Sequence, residues 1–276
     1  MKYGLLRKEG VKMRGTYDVK ELTDDLMASV EAFLRNDPLI NAYAIWDLRF
    51  MRHRSKFFVC TLDGKLEGLL LDYFGHTDAH FIWLWGEENA VKRLLDIPLA
   101  DKIIFHVFPE FEKIISRKFT ITAKYPVDFM LLRKGEERLC QKHEIKPLTL
   151  QDAVSFAKLR KEFPSDEEVE NAKSFLSDHY FYGIFKNDEL TSVASVQVKL
   201  PEIWILGGFF TKPEERNKGC ATSLASFLVK EAFKETNCVG LYVRADNRPA
   251  KRVYEKVGFK VHKRMYWLEH GIDLAP

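Results

Sequence analysis

The chain has 276 residues, the length of about two domains at roughly 150 residues each. Hydrophobic residues make up 46% and charged residues 30%, with a mean hydropathy of −0.25, values that exclude a disordered or membrane-embedded chain. Forty-three basic against 40 acidic residues leave a net charge of +3, too slight to imply a nucleic-acid partner. No apolar run approaches the roughly 18 residues that span a bilayer, and the opening MKYGLLRKEGVKMRG lacks the apolar core and cleavage site of a signal peptide. Cys60, Cys140, Cys220 and Cys238 are scattered without a C-x-x-C pair, which fits free thiols better than disulfides or structural zinc. The expectation is a cytoplasmic protein with no membrane partner.

In chain order, Val19 to Leu34 carries helical spacing, and a second short helix is expected through Ile40 to Phe50. Lys56 to Thr61 and Leu66 to Phe74 read as strands flanking the hairpin turn Asp63-Gly64, and His80 to Trp85 alternates as a third strand. A helix over Glu87 to Asp96, a strand over Lys102 to Phe108, a proline-opened helix over Pro109 to Lys118 and a strand over Tyr125 to Leu132 complete the first half. The segment RKGEERLCQKHE from Arg133 is dominated by charge, with Leu139 and Cys140 its apolar residues, and reads as an exposed connector. A boundary near Arg138 gives units 1–138 and 139–276.

The second half opens with helical spacing over Leu148 to Lys161 and Asp166 to Ser177, each behind a capping residue, Thr149 and Ser165. Strands over Tyr180 to Phe185 and Leu190 to Val198 flank the turn Lys186-Asn187-Asp188-Glu189, and Glu202 to Thr211 is a third. A helix from about Gly219 to Glu235, a strand over Val239 to Arg244, a helix over Arg248 to Lys256 and a strand over Phe259 to Leu268 follow. The two halves thus show one element order, and FVCTLDGKLEGL from Phe58 lies over YGIFKNDELTSV from Tyr182. Two tandem copies of one α/β unit, rather than a coincidence of common elements, are expected.

The most informative stretch is TKPEERNKGCATSLASFL, from Thr211. Gly219 falls where loop becomes helix, so backbone can approach a ligand closely, and the free N–H groups of the helix's first turn attract an anion. Arg216 and Lys218 add positive charge there. A phosphate or pyrophosphate is one reading and a solvated glycine loop the other. Downstream, Asn247-Arg248-Pro249-Ala250-Lys251-Arg252-Val253-Tyr254 continues to Gly258-Phe259, with Ala250, Val253, Tyr254 and Val257 on one helix face. Tyr254 reads from spacing as a residue at the core margin, and Asn247 as an N-cap.

Thr211 to Ala221 resembles motif A of the GNAT superfamily of acyl-CoA-dependent N-acyltransferases, Gln/Arg-x-x-Gly-x-Gly/Ala, with Arg216, Gly219 and Ala221 at its defined positions. The segment from Asn247 to Phe259 resembles motif B of the same family. The resemblance covers about 145 to 268 and extends to the first half by element order alone. It implies two GNAT-like units, each a mixed, mostly antiparallel sheet flanked by helices. It further implies acetyl-CoA as co-substrate, with no metal. The implied binding residues are Arg216, Asn217, Lys218, Gly219, Cys220, Ala221 and Thr222 at the pyrophosphate, Phe209, Phe210 and Thr211 along the pantetheine arm, and Asn247 and Tyr254. Gly207-Gly208 matches the place where the family's strand bulges. Tyr254 is the implied catalytic residue, giving a proton or a hydrogen bond to the departing thiolate.

The resemblance implies direct attack of a primary amine on acetyl-CoA in a ternary complex; the alternative is a non-enzymatic acyl-CoA-binding regulator. The acceptor is a small-molecule or peptide amine, and oligomeric state stays open. No general base emerges: alternation puts Glu202 on the opposite face from Ile205, where some family members keep a glutamate, and Glu170, Asp178 and His179 read better as solvated surface residues than as the base. In the first half the matching junction reads Trp83-Leu84-Trp85-Gly86-Glu87-Glu88, where two carboxylates would repel a pyrophosphate, so that half is expected to lack the cofactor and to shape or cover the acceptor site. His76 and His80 read as solvated or capping residues rather than a metal pair, and Arg244, Arg248, Lys251 and Arg252 either meet a ribose phosphate or form a solvated face.

Overall fold

A computed structural model describes residues 15–75 and 78–272. Its first half runs β1 (Tyr17–Glu21), α1 (Met27–Leu34), α2 (Ala42–Phe50), β2 (Ser55–Leu62), β3 (Lys65–Tyr73), β4 (His80–Gly86), α3 (Glu88–Leu94), β5 (Ile103–Val107), α4 (Glu112–Lys118) and β6 (Ile121–Arg133). The second half repeats it: β7 (Lys146–Pro147), α5 (Ala153–Lys158), α6 (Asp166–Asp178), β8 (Tyr180–Lys186), β9 (Glu189–Lys199), β10 (Trp204–Thr211), α7 (Cys220–Ala232), β11 (Cys238–Arg244), α8 (Arg248–Val257) and β12 (Lys260–His270). The connector 134–145 holds no helix or strand.

Local chemistry accounts for most of these elements. Thr149 and Asp152 form one capping box and Ser165 and Glu168 another, each satisfying helix-start N–H groups. The hairpin turns place Asp63 and Gly64 at φ 50° and 82°, and Asn187 and Asp188 at 50° and 61°, the left-handed backbone that twist-matched two-residue turns require. One helix expectation is corrected. Val19 does not begin a helix, because Tyr17–Glu21 pairs antiparallel with β2 from Tyr17↔Leu62 to Glu21↔Phe58 as an edge strand, and regular α-helix begins only at Met27. The five-residue strand is too short for its period of two to outweigh the helical spacing that follows.

All twelve strands form one sheet in the order β1-β2-β3-β4-β5-β12-β6-β11-β10-β9-β8-β7. The last strand of each half lies beyond the fifth strand of the other: β12 pairs antiparallel with β5, β6 pairs antiparallel with β11, and β12 and β6 pair with each other at the centre. The two halves are therefore related by an exchange of final strands. The largest buried cluster crosses that seam, joining Phe57, Leu70, Ile82 and Phe105 to Val198, Ile203, Ile205 and Met265 of the second half. Two smaller clusters lie under α7 and α8 and under α5 and α6.

Side chains also tie the halves together. Arg35 donates to Glu202 at 2.8 Å, Arg54 to Ser174 at 2.9 Å, and Tyr43 to Gln197. Asp128 on β6, fully buried, accepts from Lys251 of α8 at 2.6 Å and from Arg264 of β12. Lys251 is thus occupied within the protein, and Arg244 is held by Asp246 while lying over the Tyr125 ring at 3.9 Å. The basic cluster by α8 is in this part structural. His80 bonds Asp72 at 2.7 Å, and His76 lies outside the described residues.

Candidate active site

β10 and β11 run parallel and pair from Trp204↔Val239 to Leu206↔Leu241, then separate. On its other side β10 shifts register against β9 between Gly207 and Phe210. Gly208 makes the bulge at φ 61°, where a Cβ would come within 2.9 Å of the Ser195 hydroxyl and 3.2 Å of the Phe181 ring. The parted strands leave the β11-facing backbone of Gly207–Thr211 without ladder partners, an edge that an extended chain can pair with.

Past Thr211 the chain turns through Pro213–Glu215 into the start of α7. Asn217 and Gly219 both take left-handed backbone, φ 62° and 87°. The nearest atom to a Cβ built on Gly219 is Lys142 Cδ at 3.9 Å, so the space in front of the first turn is open. The helix presents its unpaired N–H groups and its positive end there. Arg216 Nε braces the turn by donating to the Thr211 carbonyl at 3.2 Å, and His143 of the connector reaches the Lys218 carbonyl at 3.0 Å.

The resulting cleft has a volume of about 880 Å³. Of the residues expected at the cofactor, Phe209, Phe210, Thr211, Arg216, Asn217, Gly219, Cys220, Ala221, Thr222, Asn247 and Tyr254 all line it. Lys218 lies instead beside an adjoining hollow, with its ammonium 3.1 Å from Glu215. The Asn247 side chain caps α8 by accepting from the Ala250 N–H at 3.2 Å. The Tyr254 ring packs edge-on against Phe209 with centroids 5.3 Å apart, and burial pushes its phenol well above the ordinary value, so the hydroxyl stays protonated. Burial and then Glu215 raise the Cys220 thiol, disfavouring a thiolate inside the loop.

The same strand separation opens a second, aromatic cavity of about 380 Å³, which shares Leu206, Gly207, Gly208, Tyr242 and Trp267 with the cleft. Its far wall comes from the first half: Tyr43, Trp46 and Asp47 of α2, Tyr73 of β3, Phe81 and Trp83 of β4, and His106 of β5. Of the carboxylates weighed from sequence, Glu202 is paired with Arg35, Asp178 with Arg54 and Glu170 with Lys173, while His179 lines this cavity. Sequence reasoning missed Asp47. The signal was present, since it is the one acidic residue in Ala42–Phe50, AYAIWDLRF, a helix otherwise apolar and aromatic but for Arg49.

The matching junction of the first half differs. There α3 has only seven residues, its N-cap is Glu87 and its first turn carries Glu88, so the helix start is lined with negative charge. Among the described residues no group of three or more His, Cys, Asp or Glu is placed to hold a metal ion.

Residues 149–259 match the family model of the acetyltransferase (GNAT) family. The second half therefore carries a GNAT-family domain, and acyl transfer is that family's class of chemistry. No curated protein matches the chain in sequence. Among solved structures, a Drosophila protein superposes with TM-score 0.70 at 14% identity, covering 91% of this chain and 98% of its own. A tandem GNAT protein from the clavulanic acid biosynthesis pathway gives TM-score 0.63 at 14% identity over 94% of this chain and 100% of its own. A GCN5-related N-acetyltransferase from Sphaerobacter thermophilus gives 0.63 at 12% identity, over 94% and 98%. This chain shares their fold across both halves.

Proposed function

We propose that the protein is an N-acetyltransferase that passes the acetyl group of acetyl-CoA directly to a primary amine in a ternary complex. The observation that carries this reading is the single cleft in which a parted, bulged strand edge, the open N-terminus of α7 and Tyr254 converge. The residues present suit the co-substrate. The N–H groups from Asn217 to Thr222 suit a pyrophosphate, and the free edge of Gly207–Thr211 suits the amides of pantetheine. Acetyl-CoA, when bound, supplies the activated thioester.

The chain's own residues then do three things. The bulge at Gly208 gives the acetyl end access to the aromatic cavity. Tyr254, protonated, donates a hydrogen bond to the sulfur as the C–S bond breaks and the N–C bond forms, stabilising the thiolate until it takes a proton from the reacting nitrogen. Cys220, as a buried thiol in the phosphate loop, stays out of the transfer, which favours direct attack over an acyl-cysteine.

Isothermal titration with acetyl-CoA tests this reading. The expected result is one site per chain, lost in Gly219→Glu, whose carboxylate would occupy the anion position, while the variant's circular dichroism stays that of the parent. Absence of binding at millimolar ligand would overturn it.

A further inference from the structure

The aromatic cavity holds more chemistry than a hydrophobic wall requires. Asp47 is 5% exposed and lines it, and its carboxylate has neither hydrogen bond nor ion pair among the described residues. Trp46 Nε1, His106 Nε2 and Tyr242 Oη, all from residues lining the same cavity, are buried without partners among the described residues. Of these groups the Asp47 carboxylate is the one that can receive a cation, whereas Trp46 Nε1 can only donate and is completed by water or by an acceptor in the hollow. Most of the rest of the wall is aromatic, with Gln197, Leu206, Gly207 and Gly208 the exceptions, and Trp83 lies 5.6 Å from Tyr43 and 3.8 Å from His106 between ring centroids. Among the described residues no lysine or arginine lines the cavity, and Asp47 is its one carboxylate.

We propose that this cavity is the acceptor site, that it takes a compact aromatic primary amine, and that Asp47 receives the ammonium group and its proton. The proposal rests on the acetyltransfer reading for the reaction but not for the binding. A carboxylate inside an aromatic box attracts a cation through both charge and ring faces. The volume is near the low end of the ~300–1,000 Å³ typical of small-ligand pockets, which disfavours a protein lysine with its flanking chain. Among the described residues the lining offers a polyamine's second ammonium no second carboxylate, and an amino acid's carboxylate no lysine or arginine.

In the reaction the ammonium gives one proton to Asp47. The freed lone pair forms the N–C bond while the C–S bond breaks, and the second nitrogen proton goes to the sulfur through the Tyr254 hydroxyl. Asp47 later releases its proton to water. Burial raises the Asp47 carboxyl, so it is the bound ammonium that holds it ionised, and the raised proton affinity then makes that carboxylate the stronger base.

The test is titration of the full chain with 2-phenylethylamine, without acetyl-CoA, read by the fluorescence of the tryptophans that line the cavity and by calorimetry. Expected is saturable binding at least tenfold tighter than that of 2-phenylethanol, spermidine or phenylalanine, all measured on the unaltered protein. Asp47→Asn should weaken 2-phenylethylamine at least tenfold, leave 2-phenylethanol within twofold, and keep or raise the melting temperature, since it removes an unpartnered buried carboxyl. Equal binding of the amine and the alcohol, or tighter binding of spermidine or phenylalanine, overturns the proposal. Amine binding alongside failed acetyl-CoA binding would strike the acyl-transfer reading alone, and acetyl-CoA binding without amine binding would strike this proposal alone.

Discussion

At the scale of single residues, Tyr254 separates an enzyme from a protein that merely holds acyl-CoA. Its ring fills space between Phe209 and Phe259, so Tyr254→Phe keeps the packing and removes only the hydroxyl. We expect kcat to fall roughly 100- to 1,000-fold, the range of a lost hydrogen-bond donor to developing charge, with acetyl-CoA affinity unchanged in the same titration. The pH profile adds a sign. Burial raises this phenol, so its protonated form persists above the ordinary value of about 10, and kcat should show no downturn from tyrosine ionisation near that pH. A clear loss of rate between pH 9.5 and 10.5 that vanishes in the phenylalanine variant would contradict the environment assigned to Tyr254. Asp47 illustrates the complementary point that a residue passed over in its own helix comes to line a cavity once the other half of the chain packs against it.

Elements are held by fewer interactions than their number suggests, because most surface ion pairs contribute little. Asp128 is the exception. It lies on β6, is fully buried, and takes charge-assisted hydrogen bonds from α8 and β12, so it fastens the exchanged strand to the second half. Removing it leaves Lys251 facing the interior without an anion, its side chain 20% exposed, while Arg264, 49% exposed, can turn to water. Asp128→Ala is expected to lower stability by about 3 kcal/mol, toward the lower end for breaking a buried pair, read as a shift of the urea midpoint at unchanged slope. A change under ~1 kcal/mol would mean that backbone pairing alone fixes β6. The helix starts at Thr149 and Ser165 and both hairpin turns are local matters, and these were readable from short windows of sequence.

The whole molecule is governed by the exchange of β6 and β12. Each half is a complete element series, yet its fifth strand is completed by the last strand of the other half, and the largest core cluster spans the seam. We expect 1–138 and 139–276, expressed separately, to aggregate or self-dimerise through the strand that lacks its partner, and to form a one-to-one complex when co-expressed, as measured by gel filtration with light scattering. Two soluble monomers that bind no better together than alone would show that each half closes on its own final strand. The same exchange creates the aromatic cavity, because it holds α2, β4 and β5 of the first half against the bulged edge of β10.

How much was legible follows from the range of the interactions involved. The mixed sheet with helices, the glycine loop at α7 and the capping role of Asn247 could be read from sequence, because each depends on periodicity, capping or a motif within some fifteen residues, and the tandem repeat because those local signals recur in one order in both halves. The edge strand Tyr17–Glu21 could not, since its strand character comes from pairing with β2 rather than from its own pattern. Nor could the partners of Asp128, the strand exchange or the place of Asp47, which are set by contacts between residues more than a hundred positions apart or by a cavity to which both halves contribute. The sequence by itself determined most of the elements, through local backbone preferences, and the contiguous loop motif that points to acyl transfer. Only the tertiary structure decided which strand completes which half and what faces the acyl end of the cleft, because burial and strand pairing are properties of the assembled sheet.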